Sequence, residues 1–338
     1  MKLNDVKRAL FGPLLSTIPL FLFKWMSACN IIILYYHVVS NDDLPHINNL
    51  YKYKDVSKFS EDLDFLLKHY SPIELSEYIK WIEGDKILPE NSFLLTFDDG
   101  LSEIYDVVAP ILIDKGIPAT FFISSAFLDN RELCYLHKIS LLIESVRNGI
   151  SPGTEAEIKR ILGEEGLAGS NLPEEIGNVG YRHRLVLDKI AQTLDLDISE
   201  FLNIKQPYLT SAKVRELIKK GFTIGSHSVD HPYYRDLSLD EQLSQTISST
   251  KEIRRKFGLD YGAFAFPHSD LGVSGKFFEE IRASGLIDIS FGTNGMLNGD
   301  FESHRQRVSL EDPLMTAKEI LAWEFARKAY HQLKRKNG

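Results

Sequence analysis

Short apolar runs alternate with longer amphipathic segments along most of the chain. Each run is nearly continuous in apolar or β-branched residues and is too short for a buried helix, which is typical of strands covered on both faces of a parallel sheet. Consecutive strands of that kind need a crossover segment, usually a helix. The predicted strands are Ile31–Tyr36, Ser92–Phe97, Ala119–Ser124, Phe222–Ser226, Ala263–Pro267, Asp288–Gly292 and Arg307–Leu310.

The segments between those runs carry the periodicity of amphipathic helices, and several of them stop at a glycine. Ser102–Lys115 precedes Gly116 and Leu239–Phe257 precedes Gly258, where glycine is favoured because helices commonly end in left-handed backbone. The other predicted helices are Lys58–His69, Ser211–Lys220 and Lys276–Ser284. The alternation of strands and helices predicts βα units and therefore an α/β fold.

One region breaks this alternation. Residues 129–205 contain helical patterns but no strand pattern, so we interpret them as a mainly helical insertion. The α/β domain then consists of residues 29–128 and 206–312, with an apolar or amphipathic segment at 1–28 and a C-terminal helix and basic tail at 313–338. A chain of 338 residues can bury a sizeable core without disulfides or a structural metal.

Composition and charge narrow the range of partners. The net charge is −8 and the chain ends in its basic cluster, so we predict no nucleic-acid binding, which needs a concentrated basic patch. The two cysteines, Cys29 and Cys134, are far apart and share no motif spacing. The fold is therefore not built on a disulfide framework, which is compatible with a reducing compartment.

The N-terminal apolar stretch is the ambiguous part of the sequence. Residues 9–23 follow three basic side chains but fall short of the ~20 apolar residues that span a bilayer, and Pro13 and Pro19 interrupt a straight helix. We predict a packed or membrane-surface helix with peripheral membrane contact through residues 9–25, with a signal or anchor as the alternative. We accordingly expect the protein in the cytoplasm or at the inner membrane surface, rather than secreted.

Two adjacent carboxylates follow a predicted strand. The sequence Thr96-Phe97-Asp98-Asp99-Gly100 places Asp98 and Asp99 at the C-terminal end of that strand, where α/β folds carry their chemistry. Adjacent carboxylates repel each other when both are ionised, and a cation that binds one of them resolves the conflict. A helix-capping turn is the alternative interpretation of the same residues.

Two histidines follow another predicted strand. His227 and His231 are four residues apart within Gly225-Ser226-His227-Ser228-Val229-Asp230-His231-Pro232 and can converge on one ion from a single turn. Pro232 disfavours the helical region for His231, which predicts a loop or terminal turn. Two histidines and one carboxylate with an open position form a known catalytic metal arrangement.

Together the two motifs resemble the first two motifs of the polysaccharide deacetylase superfamily, carbohydrate esterase family 4. The segment Tyr35-Tyr36-His37 is similar to the tyrosine–histidine pair near the start of many bacterial members. The resemblance covers roughly Ile31–Ser124 and Pro207–Leu310 and leaves the insertion and both ends outside. It implies an α/β fold of the distorted (β/α)7-type barrel class, here with a mainly helical insertion.

Carried over to this sequence, the family pattern assigns a role to four residues. Asp98 would be the general base, and Asp99, His227 and His231 would be the metal ligands. The implied cofactor is a divalent metal, with zinc expected and other divalent ions as alternatives. The metal would polarise the acetyl carbonyl and lower the pKa of a bound water, Asp98 would remove a proton from that water, and an acid would protonate the departing amine.

The third family motif differs in this chain. Members commonly have an arginine two residues before a proline and an aromatic residue after it, whereas Ala265 and His268 stand at those positions around Pro267. Because that arginine orients and tunes the base in the family, the resemblance implies a different environment for Asp98. His268 becomes a candidate for contact with the oxyanion or the substrate, with a surface histidine as the alternative.

The leucine–histidine motif that supplies the family's general acid is not evident here. His37, His268 and His304 are the candidates, and each has a purely structural role as its alternative. His37 is retained as a catalytic candidate because it follows a predicted strand within the tyrosine–histidine pair. The predicted substrate contacts are Tyr233, Tyr234 and Pro267, since aromatic rings that follow the histidine motif can stack on sugars.

The resemblance implies a hydrolase that removes N-acetyl groups from a polysaccharide, oligosaccharide or glycan precursor that contains amino sugars. Its partner would be an acetylated amino-sugar glycan, in a bacterial surface-polysaccharide pathway. Two alternatives stay open: another amidohydrolase on the same scaffold, and a catalytically impaired homologue that binds glycans. The complete set of metal ligands argues against the second alternative.

Overall fold

The computed structural model describes residues 11–18, 30–167, 169, 171–297, 299 and 301–336. These residues form two compact units. One unit consists of the described residues up to Ser40, of Tyr53–Ser125 and of the described residues from Leu209 onwards. The other consists of Asn41–Lys52 and Ala126–Tyr208.

The first unit is built on one sheet whose strands pair in parallel. Along the sheet the order is β8-β7-β6-β5-β4-β3-β1-β9, and β2 pairs with the start of β3. The strands are β1 Ile31–Tyr36, β2 Ser71–Pro72, β3 Ser92–Phe97, β4 Ala119–Ile123, β5 Thr223–Ser226, β6 Ala263–Ala265, β7 Ile289–Gly292, β8 His304–Gln306 and β9 Val308–Ser309.

One chain segment holds both edges of this sheet. β8 pairs with β7 through Ser290 and His304, β9 pairs with β1 through Leu34 and Val308, and only Arg307 separates β8 from β9. The sheet therefore curls round into an α/β barrel, as the resemblance implied. The last predicted strand, Arg307–Leu310, contains β9, but strand pairing already begins at His304 in β8 and is interrupted at Arg307.

Helices occupy most of the connections. Leu239–Phe257 agrees with its prediction, since Ser238 and Glu241 form a capping box at its start and Gly258 ends it in left-handed backbone at φ 67°. A π-helical turn at Ile104–Val108 leads directly into the helix that begins at Ala109. The helices are α1 Val56–His69, α2 Leu75–Ile82, α3 Ala109–Lys115, α4 Tyr135–Arg147, α5 Pro152–Glu164, α6 Leu172–Gly177, α7 Val186–Thr193, α8 Ile198–Lys205, α9 Ser211–Lys219, α10 Leu239–Phe257, α11 Gly275–Ala283 and α12 Ala317–Lys336.

The barrel encloses an apolar interior. Side chains of β1, β3, β4, β6 and β7 belong to one buried cluster, which includes Ile33, Leu94, Phe122, Ala265 and Phe291. Strands that are distant in sheet order can share a cluster only when the sheet curves around it. The interior is thus packed, and the chemistry lies where the strands end.

The second unit is helical. α4 contacts α6 and α7, and α5 contacts the same two helices. Apolar side chains such as Ile143, Leu162, Ile176 and Leu187 are buried in this unit. The mainly helical character predicted for residues 129–205 is therefore confirmed, and the unit also includes Asn41–Lys52.

The predictions for the N-terminal segment at 1–28, and for membrane contact through residues 9–25, fall mostly outside the described residues. Within the part described, residues 11–15 are helical, and the Phe11 ring stacks on Trp323 of α12 with 6.5 Å between ring centroids. Among the residues that the structure describes, no helix is both long and apolar enough to cross a membrane.

Candidate metal centre and catalytic site

The two carboxylates leave β3 in different directions. The backbone N–H of Asp98 donates to the carbonyl of Tyr36 at 3.0 Å, which continues the pairing of β3 with β1. Asp99 and Gly100 then adopt left-handed backbone, with φ of 69° and 70°. Left-handed backbone is unfavourable for a residue with a Cβ, so strain at Asp99 marks this turn as a site built for a purpose beyond chain reversal.

The two histidines sit on a tight turn after β5. The N–H of His227 donates to the Ile123 carbonyl at 3.0 Å, and the N–H of His231 donates to Oγ of Ser228 at 3.0 Å. Ser228 and His231 both have positive φ, 66° and 62°. The predicted loop conformation for His231 is therefore present, and the turn brings both rings to the same side.

Asp99, His227 and His231 converge on one point. Oδ1 of Asp99 lies 3.3 Å from Nε2 of His227 and 3.1 Å from Nε2 of His231. One ligand atom from each of the three residues lies within 4.8 Å of the others, and all three residues are buried. Donor atoms about 2.1 Å from a tetrahedral ion are separated by roughly 3.4 Å, so the spacing suits a single metal ion.

The hydrogen bonding of His227 also suits a metal ligand. Its Nδ1 lies 2.9 Å from the carbonyl oxygen of Ala265, which can only accept, so Nδ1 carries the proton of the neutral ring. Nε2 then presents its lone pair to Asp99 and His231. Burial lowers the pKa of His227, which favours that neutral form. For Asp99, burial would raise the pKa, but the facing histidines outweigh it and hold the pKa well below its usual range.

Asp98 is held by an arginine that the sequence did not single out. Arg307 Nη1 donates to Oδ1 and Nη2 donates to Oδ2 of Asp98, both at 2.7 Å, and both residues are fully buried. Burial would raise the pKa of Asp98, but the charge of Arg307 and its hydrogen bonds outweigh that effect and lower the pKa. Asp98 is consequently an ionised carboxylate beside the three converging residues.

His37 is paired with a second carboxylate near the barrel end. Nδ1 of His37 lies 2.6 Å from Oε2 of Glu311, and Oε1 of Glu311 accepts from the backbone N–H groups of His37 at 2.7 Å and Val38 at 3.2 Å. Burial by itself would lower the pKa of His37, but Glu311 and Asp99 outweigh it and raise the pKa to about 9. The imidazole is therefore protonated at neutral pH and can donate a proton.

His268 and Tyr233 form a stacked pair beside the histidine turn. Their rings are 3.6 Å apart between centroids and nearly parallel, and the His268 ring meets His231 edge-on at 4.4 Å. His268 has a positive φ of 57°. Burial, and the neighbouring His231, lower the pKa of His268 well below its ordinary value, so its ring is neutral.

Comparison with known proteins places this geometry in a family. The sequence model of the family described as polysaccharide deacetylase matches residues 85–286, more than half of the chain. The chain belongs to the polysaccharide deacetylase family. The match includes Asp98, Asp99, His227, His231 and His268. His37, Arg307 and Glu311 lie outside it.

Solved structures resemble this member of the family in fold. The deacetylase PplD of Streptococcus pyogenes, in complex with acetate, is 16% identical with a TM-score of 0.55, covering 87% of this chain and 97% of that one. IcaB of Ammonifex degensii is 16% identical with a TM-score of 0.55, and the match covers 88% of this chain and 97% of that one. A de-N-acetylase of Aggregatibacter actinomycetemcomitans is 18% identical with a TM-score of 0.51, and the match covers 86% of this chain and 96% of that one. A search of curated proteins returned no match.

Three residues of this deacetylase lie elsewhere than the sequence suggested. Tyr234 was predicted to contact substrate, but it is fully buried in an aromatic cluster with Phe264 and Phe266, where its hydroxyl lies 2.7 Å from Oγ1 of Thr246. The burial of Tyr234 does not favour the predicted substrate contact, whereas the preceding residue, Tyr233, is half-buried.

Pro267 and His304 are also buried. Pro267 is buried, and its carbonyl accepts from the N–H of Ser269 in the turn that presents His268. His304 packs against the Phe266 and Phe278 rings and bonds Asp270 at 3.1 Å, and it makes no contact with Asp98 or the converging triad. His304 is thereby removed from the candidates for the acid.

Arg307 and Glu311 are the two site residues that sequence reasoning missed. Both follow the rule used for the other motifs, because they lie within or just after the last strands of the sheet. The available signal for Arg307 was a charged residue at the start of a segment predicted to be a buried strand, Arg307–Leu310. A buried charge needs a partner of opposite sign, and Asp98 was the carboxylate left over after the metal ligands had been assigned.

Proposed function

We propose that this protein is a divalent-metal-dependent deacetylase that removes N-acetyl groups from an amino-sugar-containing glycan. The observation that carries the proposal is the convergence of Asp99, His227 and His231 beside an ionised Asp98, in a chain of the polysaccharide deacetylase family. Zinc is the proposed ion, because two imidazoles and one carboxylate with a position left open are the ligand set of catalytic zinc sites.

Amide hydrolysis needs an electrophile, a base and an acid. The divalent ion, when bound, would supply Lewis-acid polarisation of the acetyl carbonyl and of the attacking water. Asp98 would take the proton from that water, since its lowered pKa keeps it ionised at neutral pH. The Asp98 oxygens remain available as proton acceptors because each carboxylate oxygen has two lone pairs and Arg307 uses one on each.

His37 is the proposed general acid. Its pKa of about 9 keeps it protonated at neutral pH, and Glu311 fixes the orientation of the ring through Nδ1. Nε2 is the proposed proton donor to the departing amine. His268 and Tyr233 are proposed to line the site for the acyl group and the sugar ring, because their stacked rings border His231.

The proposed substrate is an acetylated amino-sugar polymer or its precursor, and the proposed place of action is the cytoplasm or the inner membrane surface.

Acetate release from N-acetylglucosamine oligomers, compared with release from simple acetamides, tests this function. The metal-loaded protein should release acetate from the oligomers, and Asp98→Asn should lower kcat by about 10³-fold while it retains bound metal. Preference for the simple acetamides would indicate a different amidohydrolase. A metal-loaded protein that releases acetate from neither class would contradict the proposal.

A further inference from the structure

We propose that Arg307 is a positioning residue that prevents Asp98 from becoming a metal ligand. One coordination position of the ion is then left for water or substrate. The inference rests on the proposed function, because it concerns the division of labour between the two adjacent carboxylates. Asp98 and Asp99 are identical in type and neighbours in sequence, yet the mechanism needs one as base and the other as ligand.

The contacts of Arg307 leave Asp98 little freedom. The guanidinium takes both carboxylate oxygens in a parallel fork at 2.7 Å, and its Nη1 also donates to Oγ1 of Thr96 at 3.0 Å. Bidentate pairs of this kind fix the plane of the carboxylate as well as its position. Rotation of Asp98 towards Asp99 and the histidines would break two charge-assisted hydrogen bonds in a buried site.

Arg307 is itself held rigidly. Its guanidinium carbon lies 4.7 Å from the centre of the Tyr35 ring and 5.4 Å from that of Phe122, and its Nε donates to the Gly292 carbonyl at 3.3 Å. The residue is completely buried and lies between β8 and β9, where the barrel closes. The chain segment that joins the two edges of the sheet therefore also positions the proposed base.

Loss of this hold would change the metal site. Without Arg307, Asp98 would be a buried carboxylate that has lost the cation bound to both of its oxygens, one residue from a proposed metal ligand. It would turn to the ion as a fourth protein ligand. Zinc sites with four protein ligands are closed and structural, whereas catalytic sites keep three protein ligands and an open position. Arg307 is thus what keeps this site in the catalytic class.

A second position in the barrel interior, Ala265, could also place an arginine against Asp98. Ala265 belongs to the buried cluster that contains Phe122 and Phe291, and the guanidinium of Arg307 lies against those same two rings. An arginine at position 265 would therefore reach the space that Arg307 now fills. The double variant Ala265→Arg/Arg307→Met should restore the fork to Asp98 from another strand.

The test compares Arg307→Met with the wild-type protein and with Arg305→Met, a matched loss of one arginine two residues away whose Nη1 bonds only the Phe301 carbonyl among its described contacts. Three quantities are measured: kcat and KM on N-acetylglucosamine oligomers, Zn²⁺ affinity by chelator competition, and the visible spectrum of the Co²⁺-loaded protein. Arg307→Met should lower kcat by about 100-fold with little change in KM. It should raise metal affinity about tenfold and alter the Co²⁺ spectrum.

The affinity gain should vanish in Arg307→Met/Asp98→Asn, which removes the fourth carboxylate, and the lost kcat should return in part in Ala265→Arg/Arg307→Met. Unchanged metal affinity and an unchanged Co²⁺ spectrum in a folded Arg307→Met protein would overturn the inference. Should that variant not fold, the charge-neutral Arg307→Met/Asp98→Asn variant and Arg307→Lys, which cannot form the fork, replace it. For Arg307→Lys, an altered spectrum supports the inference and an unaltered one refutes it.

The two proposals fail separately. An inactive wild-type protein that binds Zn²⁺ would remove the proposed function, while the Zn²⁺ affinities and Co²⁺ spectra would still decide the role of Arg307. An active wild-type protein whose Arg307→Met variant keeps its kcat and metal affinity would remove the inference alone.

Discussion

At the scale of single residues, local environment gives similar side chains different properties. His37 and His227 are both buried histidines, but the pKa of His37 is raised to about 9 and the pKa of His227 is lowered. The difference arises because His37 faces the Glu311 carboxylate at 2.6 Å, whereas Nδ1 of His227 meets a neutral backbone carbonyl. A protonated ring suits a proton donor, and a neutral ring suits a metal ligand.

Glu311→Gln tests the first of these environments. The amide keeps the shape but removes the charge that favours protonated His37, so burial dominates and the pKa of His37 falls. Since a general acid works only while protonated, the loss of kcat at high pH should begin at a lower pH than in the wild type. The pH dependence of acetate release measures this shift.

Glu279→Gln is the control for that prediction, because Glu279 is an exposed residue of α11 outside the site and should leave the profile unchanged. A Glu311→Gln protein whose high-pH limb coincides with that of the wild type would remove His37 from the role of general acid.

At the scale of elements, the ends of β3 and β5 carry the strain. Asp99, Ser228 and His231 all have positive φ, and none is a glycine. Such conformations persist only where the surroundings enforce them, and they turn the side chains of Asp99 and His231 towards each other. The regular strands place these residues at one end of the barrel, and the strained turns orient their side chains towards each other.

Two glycines with nearly equal φ allow the cost of left-handed backbone to be separated from the effect of the turn on the metal site. Gly100 has φ 70° beside the site and Gly258 has φ 67° at the end of α10, but a Cβ at Gly100 would meet Ile123 Cγ2 at 3.1 Å while one at Gly258 would meet nothing. Gly258→Ala should cost about 1–2 kcal/mol of the free energy of unfolding, from left-handed backbone alone. Gly100→Ala should cost more and should also weaken metal binding, because it displaces Asp99.

Urea denaturation measures both free energies, and metal titration measures the binding. Equal costs with unchanged metal affinity in the two variants would show that the turn after β3 does not control the position of Asp99.

At the scale of the whole barrel, a buried ion pair joins parts that are remote in sequence. Asp62 of α1 bonds the ammonium of Lys54, accepts from the Tyr36 hydroxyl at 2.8 Å, and accepts from the backbone N–H of Ala317 at 2.8 Å. Lys54 and Asp62 are both buried. One carboxylate thus links β1, α1 and the first residue of α12.

Asp62→Ala should therefore destabilise the protein strongly. It leaves the Lys54 charge buried without a partner, which typically costs about 3–5 kcal/mol. Asp64→Ala is the matched control, since Asp64 lies on the same helix, is 64% exposed in its side chain and pairs with Lys115 at the surface; its cost should stay within about 1 kcal/mol. Equal urea midpoints for the two variants would contradict the structural role of Asp62.

Metal binding should stabilise the same unit by mass action. An ion that binds only the folded state adds about 2.7 kcal/mol at a concentration of 100 times its Kd. The melting temperature should rise when Zn²⁺ is added to the metal-free protein and fall again with a chelator. Asp99→Ala should abolish this response, and a full response in that variant would place the ion elsewhere.

The sequence by itself determined the features that depend on short spacings. The alternation of apolar runs and amphipathic segments predicted the α/β class, and the pairs Asp98–Asp99 and His227–His231 each lie within one turn, so their spacing already placed each pair together. The resemblance then implied that the two turns meet. In the structure they do meet, with Asp99 3.1 Å from His231.

Only the tertiary structure decided the partners that these residues acquire. Arg307 lies 209 positions from Asp98, and Glu311 lies 274 positions from His37. Both contacts depend on how the last strands close the barrel against β7 and β1, which no local spacing encodes. Long-range packing also explains why Tyr234 is buried and Tyr233 is only half-buried. The cluster formed by residues of β6, α10 and α11 takes up one of these two adjacent tyrosines.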